Sequence, residues 1–226
     1  MNLRRSAVIV AISLVATACA ADTAVDAETS TTSAVTGSSS TAPASTTTVP
    51  GLPVDDEGRT IAAISGEWLP AYPSAGTDTA IGMMIPTVEG RGVDGSLMAI
   101  GPRAEPQAIV FLAHWCPHCR SEVADYSDWL ATSSLPEGTS LVGVTTAIDP
   151  LRQNYPPEDW LLGAGWPVPT LVDPTNEVAQ AFGLTAFPFW VLVDANGVVV
   201  IRGAGSIAPE SIAEAMATIV SGDSAG

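Results

Sequence analysis

Ile109-Val110-Phe111-Leu112-Ala113-His114-Trp115-Cys116-Pro117-His118-Cys119 is the stretch whose reading decides this chain. Its first five residues are apolar without alternation, the pattern of a strand covered on both faces. From Pro117 to about Ala131 the period changes to that of a helix, with Val123, Tyr126 and Leu130 expected inward and Glu122, Asp125 and Asp128 outward. Two cysteines two residues apart at a strand-to-helix junction are a redox signal. A helix beginning at Pro117 aims unpaired N–H groups and its positive dipole end at Cys116, and both favour a thiolate there. Cys116 is therefore the candidate nucleophile. Pro117 costs nothing in a first helical turn, because its missing N–H would have no partner there. His118 adds a positive neighbour when protonated. Cys119 falls one turn into the helix on its inward face, where a resolving thiol belongs. A structural disulfide and half of a zinc site are the alternatives. Zinc would need two further ligands, and the other Cys and His residues are only Cys19 and His114. The residues imply neither a bound metal nor a cofactor, and His114 is expected to be an exposed structural residue beside the loop.

Working outward, Leu141–Thr145 reads as a second buried strand, so strand, helix and strand make a right-handed βαβ unit. Such units place reactive loops at the carboxyl ends of their parallel strands, where Cys116 lies. Ahead of it, Ile81–Ile85 is an apolar run stopped by Pro86, and Val88–Ile100 supplies a small hairpin. Beyond it come a short helix from Glu158 to Leu162, a strand from Val168 to Val172, and a helix from Glu177 to Phe182 ending at Gly183. Pro188 introduces the apolar strand Phe189–Asp194, and Asn196-Gly197 turns it into a second strand, Val198–Ile201. The last helix runs from about Pro209 to Val220.

The chain of 226 residues has room for one ordinary domain plus extensions, and its net charge is −16, with 24 acidic residues against 8 basic ones. Such a balance repels nucleic acid, which is excluded as a partner. Residues 1–18 read as an export signal, with Arg4 and Arg5 before the apolar core Ala7–Val15 and the small residues Ala16-Thr17-Ala18. Val15-Ala16-Thr17-Ala18-Cys19 resembles a bacterial lipobox, which implies lipidation at Cys19; ordinary cleavage after an Ala-x-Ala site, and so secretion, is the alternative. Residues 19–58 are expected to be an unfolded linker, because Ser and Thr dominate them and large apolar side chains are nearly absent. A flexible tether of roughly 40 residues reaches about 35 Å from its anchor. Residues 59–79 form a transition with no assigned role, and residues 80–222 the folded domain.

Trp115-Cys116-x-x-Cys119 after an apolar strand, Pro188 opening a strand that ends in Asp194-x-x-Gly197, and the terminal amphipathic helix together resemble the thioredoxin superfamily. Gly82-x-x-x-Pro86, Gly95, and Asp173 followed by Ala181-Phe182-Gly183 are similar to its exported TlpA-type branch. The resemblance implies an α/β, thioredoxin-like fold, with a central mixed β-sheet flanked by helices. It implies a cis Phe187–Pro188 bond beside Cys116, with the Phe187 backbone and Trp115 forming a docking surface for an extended chain. It also implies thiol–disulfide exchange, in which Cys116 attacks, Cys119 resolves, and Trp115, Pro117, His118 and Pro188 modulate. The partners would be protein thiols and disulfides of exported proteins and a membrane or soluble electron-transfer partner, with a lipid anchor holding the enzyme outside the cytoplasm. Many relatives carry a buried acid six residues before the first cysteine; here that position is Val110. Pro117-His118 is similar to the pair in DsbA-type oxidases, so oxidation of dithiols is the alternative to reduction. A copper-binding chaperone on the same fold is a second alternative.

Overall fold

The computed structural model describes residues 51–56 and 58–222. The expected leader, Cys19 and the linker up to residue 50 lie outside them. The elements in chain order are β1 (Ala63–Ser65), β2 (Thr87–Arg91), β3 (Leu97–Ile100), β4 (Gln107–Leu112), α1 (Pro117–Leu130), β5 (Ser140–Thr145), α2 (Pro157–Gly163), β6 (Thr170–Val172), α3 (Glu177–Ala181), β7 (Phe189–Val193), β8 (Val199–Ala204) and α4 (Pro209–Ser221).

The main sheet has the order β6-β5-β4-β7-β8. β4 is the central strand, parallel to β5 and antiparallel to β7, while β5 and β6 are parallel and β7 and β8 antiparallel. Mixed pairing and helices on both sides make this the thioredoxin-like fold. β4 is buried along its whole length. Ala108, Val110 and Leu112 pack with Val123 and Tyr126 of α1 and Ile212 and Met216 of α4. Ile109 and Phe111 point the other way, into a cluster with Phe182 and Phe189. The Phe111 ring lies 5.2 Å from Phe182 and 6.1 Å from Phe189. Each such ring contributes roughly 1.5–3 kcal/mol by leaving water. A strand with both faces buried needs apolar residues at every position, which is why Ile109–Leu112 shows no alternation.

A second, three-stranded antiparallel sheet has the order β1-β2-β3. Its β2–β3 hairpin falls within Val88–Ile100, but β1 lies in the stretch expected to be a transition, so regular structure begins ahead of Ile81. Further upstream, Val54 bridges Thr60 and the Ile61 N–H is bonded to Pro53 O at 2.8 Å. After β1 the chain straps across the main sheet: the Leu69 N–H donates to Ala181 O and the Tyr72 N–H to Gly183 O, both at 2.8 Å. The strap is pinned by Arg202 of β8. Its buried guanidinium donates to Pro70 O at 2.9 Å, to Phe182 O at 3.0 Å and to both carboxylate oxygens of Asp78. The Arg202 hydrogen bond holds the Asp78 carboxyl below its ordinary range, against a smaller opposing effect of burial. Ile81–Ile85 is not a strand of the main sheet; it lies along the β7–β8 turn, with Gly82 N–H bonded to Val199 O and Ile85 N–H to Gly197 O at 2.9 Å each.

Candidate active site

β4 delivers the chain to the top of the sheet, and a four-residue turn sets Cys116 as the N-cap of α1, with Pro117 in its first turn. The Cys116 N–H is bonded to Ala113 O at 3.0 Å, and the first helical bond runs from Arg120 N–H to Cys116 O at 3.2 Å. Both cysteines are free thiols. Cys116 is 7% exposed and Cys119 fully buried, so only the first can be reached from outside. Cys119 Sγ accepts the Ala113 N–H at 3.4 Å. Burial pushes the Cys119 thiol up, and Cys116 and the charge of Glu122 push it further, while the Ala113 N–H opposes them. Pro117 and His118 are exposed at the start of the helix.

Glu122 corrects the reading of α1. Expected outward, it is only 2% exposed. Its Oε1 accepts the Trp190 indole N–H at 2.8 Å and the Ile207 N–H at 3.1 Å. Burial pushes its carboxyl up, and these donors with Ser206 partly offset that. The helix therefore buries Cys119, Glu122, Val123 and Tyr126 together, the spacing of a single inward face. Tyr126 donates its hydroxyl to Ile207 O at 3.0 Å, and its ring lies 5.1 Å from Trp190. Val110, where an acid is common in the resembling family, is fully buried and pairs with Trp190 across the sheet. The buried carboxyl in this site thus arrives from the helix and not from the strand.

His114 is the second correction: expected exposed, it is completely buried. The segment between β5 and α2 folds over it. Its Nδ1 lies 2.7 Å from Gln153 O and its Nε2 accepts the Asp149 N–H at 3.2 Å, a pairing that places the ring proton on Nδ1. Trp115 is half-buried; its indole N–H donates to Ala147 O at 2.8 Å. The Arg152 guanidinium sits 4.5 Å from the centre of the same ring, and Phe187 meets it edge-on at 6.0 Å. The Phe187–Pro188 peptide is cis, and Pro188 is buried where β7 begins. The site thus brings together Trp115, Cys116, Cys119 and Phe187 in one cluster of packed side chains. Among the described residues no group of three or more His, Cys, Asp or Glu could hold a metal ion.

The Redoxin family pattern matches residues 81–217. The chain belongs to the Redoxin family. Membership of that family, with the paired cysteines on this fold, makes it a thiol–disulfide oxidoreductase. Among solved structures it is similar to StoA from Bacillus subtilis, at 18% identity and a TM-score of 0.51, over 57% of this chain and 94% of that one. An uncharacterised conserved protein from Geobacillus kaustophilus is 23% identical with a TM-score of 0.51, over 71% of this chain and 87% of that one. At such identities these likenesses speak to the fold.

Proposed function

We propose that this Redoxin-family protein is an extracytoplasmic disulfide reductase of the TlpA type, acting on exported proteins through Cys116 and Cys119. The observation that carries the reading is the unequal access of the two sulfurs. The Cys116 thiolate attacks a substrate disulfide, forming one S–S bond as another breaks, and the departing substrate thiolate takes a proton. Cys119 then loses its proton and attacks Cys116 Sγ; the Cys116–Cys119 disulfide forms and the second substrate sulfur leaves as a thiolate. Two electrons have passed to the substrate, and a separate electron-transfer partner restores the dithiol. Glu122 is suited to take the Cys119 proton, since it lies one turn further along the same buried face and burial raises its proton affinity. Trp115 and Phe187 form the surface against which the substrate chain lies, with Pro188 buried behind Phe187 and with Pro117 and His118 exposed beside it.

The export address rests on the leader-like residues 1–18 and the lipobox-like approach to Cys19, which together favour an anchored lipoprotein over a secreted form. No helix among the described residues is long and apolar enough to cross a membrane. Replacing Cys119 with Ala should leave Cys116 joined to its substrates. Mixed disulfides recovered from cell envelopes would support the reading, and their absence would count against it. Pro117-His118 favours a second reading, a DsbA-like oxidase. A reduction potential well above thioredoxin's value of about −270 mV would support it, and an equally reducing one would remove it.

A further inference from the structure

Ala147–Tyr155, between β5 and α2, is bound to the reactive turn by five hydrogen bonds that involve side chains. Trp115 Nε1–H donates to Ala147 O, His114 binds both Gln153 O and the Asp149 N–H, the Asn154 side-chain amide donates to His114 O at 2.9 Å, and that of Gln153 donates to Trp115 O at 3.3 Å. The foot of the segment is fixed as well: Asn176 Oδ1 accepts the Ala147 N–H at 2.6 Å and the Thr146 hydroxyl at 3.1 Å. Ala147 is held at a φ of 51°, a left-handed conformation unusual for alanine that its surroundings impose, and Asn154, a residue that takes this conformation more readily, is at 63°. All this fastening serves a segment whose tip faces solvent. Leu151 is 94% exposed, and Arg152, also exposed, lies over the face of the Trp115 ring. A ring contact occupies the guanidinium's face and leaves its N–H fork at the edge, and the Arg152 side chain makes no ion pair among the described residues. Trp115 is the residue before Cys116. A polypeptide joined to Cys116 therefore lies beside an indole that contacts both Phe187, edge-on, and the Arg152 cation.

We propose that Ala147–Tyr155 is a docking lip for the polypeptide at Cys116. There Arg152 selects substrates that carry a carboxylate beside the reactive cysteine, and His114 is the positioning residue that holds the lip in place. This rests on the thiol–disulfide exchange proposed above. The proposal opposes the long-range field. A net charge of −16 favours basic partners at a distance, so a preference for acidic flanks has to come from the local cation.

The test uses short peptides whose single cysteine is joined in a disulfide to a chromophoric thiol, flanked by Glu, Gln or Lys. Attack by Cys116 forms the protein–peptide disulfide and releases the chromophoric thiolate, so the second-order rate of each peptide is read directly. The Glu peptide should react about five-fold faster than the Lys peptide, with the difference shrinking as salt is added. Arg152→Gln should abolish the ratio and Arg152→Glu should invert it. His114→Ala should bring the ratio towards one while the Gln peptide still reacts. Equal rates for Glu and Lys, or a preference for Lys that Arg152→Glu leaves unchanged, would overturn the proposal and leave exchange itself standing. If no peptide reacts, the exchange reading fails and the proposal fails with it.

Discussion

Glu122→Gln separates the chemical use of the buried carboxyl from its structural use. Glutamine keeps an oxygen that can accept the Trp190 and Ile207 N–H groups, so the packing of α1 against β7 should survive. It cannot accept a proton. Cys119 Sγ accepts the Ala113 N–H, itself a donor, and burial first and the neighbouring Cys116 side chain second raise the thiol's affinity for its proton. With the carboxyl gone, the sulfur must pass its proton to water through a closed interior. A positioned proton acceptor is worth about 10²–10⁴ in rate, so resolution of the mixed disulfide should slow about 10²-fold near neutral pH, while the initial attack by Cys116 is unchanged. The deficit should narrow as pH rises and hydroxide takes over the acceptor's part. Rapid-quench kinetics that separate the release of the first and second substrate sulfurs measure both steps on one protein. Stability gives a second readout. A carboxyl raised by burial is most favourable to the fold when protonated, and its contribution falls as pH climbs from the ordinary carboxylate value to the raised one. Above that interval Glu122→Gln should be at least as stable as the parent. Resolution within about three-fold of the parent at neutral pH, far short of what a positioned acceptor supplies, would refute the role given to Glu122.

Arg202→Met should cost about 3–5 kcal/mol in denaturant unfolding, because it leaves Asp78 and two carbonyls without their donor; a loss below about 1 kcal/mol would mean the strap is held by packing alone. The Asp78 carboxyl is depressed in the folded state, so its contribution is present above the ordinary carboxylate value and lost as pH falls through the depressed one. Acid unfolding of the parent should therefore begin at lower pH than that of Asp78→Asn, as followed by circular dichroism. Gly183→Ala should lower the melting temperature sharply, since its φ is +71° and a methyl there meets the Pro70 carbonyl; an unchanged melting point would show that the strap can lift. Cys119→Ala should accumulate protein–substrate disulfides through Cys116 that non-reducing electrophoresis detects.

Much of the fold can be read locally. β4, β5 and β7 are runs of apolar residues because both faces of each are covered, and α1 carries its period through Val123 and Tyr126. The Asn196-Gly197 turn announces the β7–β8 hairpin. The two cysteines and the proline at 188 are equally visible, because their chemistry lies in residue type and spacing. What stays hidden is settled by distant partners. Glu122 reads as outward since a carboxylate on a helix normally faces water, and only Trp190 and Ile207, 68 and 85 residues away, allow it to be buried. His114 reads as exposed for the same reason, its bonds coming from residues 35 and 39 positions on. A signal was available for Glu122, which shares the inward spacing of Cys119 and Tyr126. β1 and the strap escape notice because three residues give no period and the prolines at 70 and 73 resemble a linker.

Both margins of the main sheet are bridged in part by the chain that precedes β4. At one side Gly92 bridges Leu171 of β6 and the Val93 N–H is bonded to Thr170 O; at the other, Gly82–Ile85 sutures the start of β8. Open sheet margins invite strands from other molecules, and sealing them suppresses accretion into aggregates. The β4–β7 ladder, by contrast, stops at Phe111–Phe189, leaving Phe187 beyond its last rung beside the reactive sulfur. On the function proposed above, an extended substrate chain would find unpaired strand backbone at the reactive sulfur, where its disulfide is to be exchanged, and less of it along the bridged stretches of the sheet's rim.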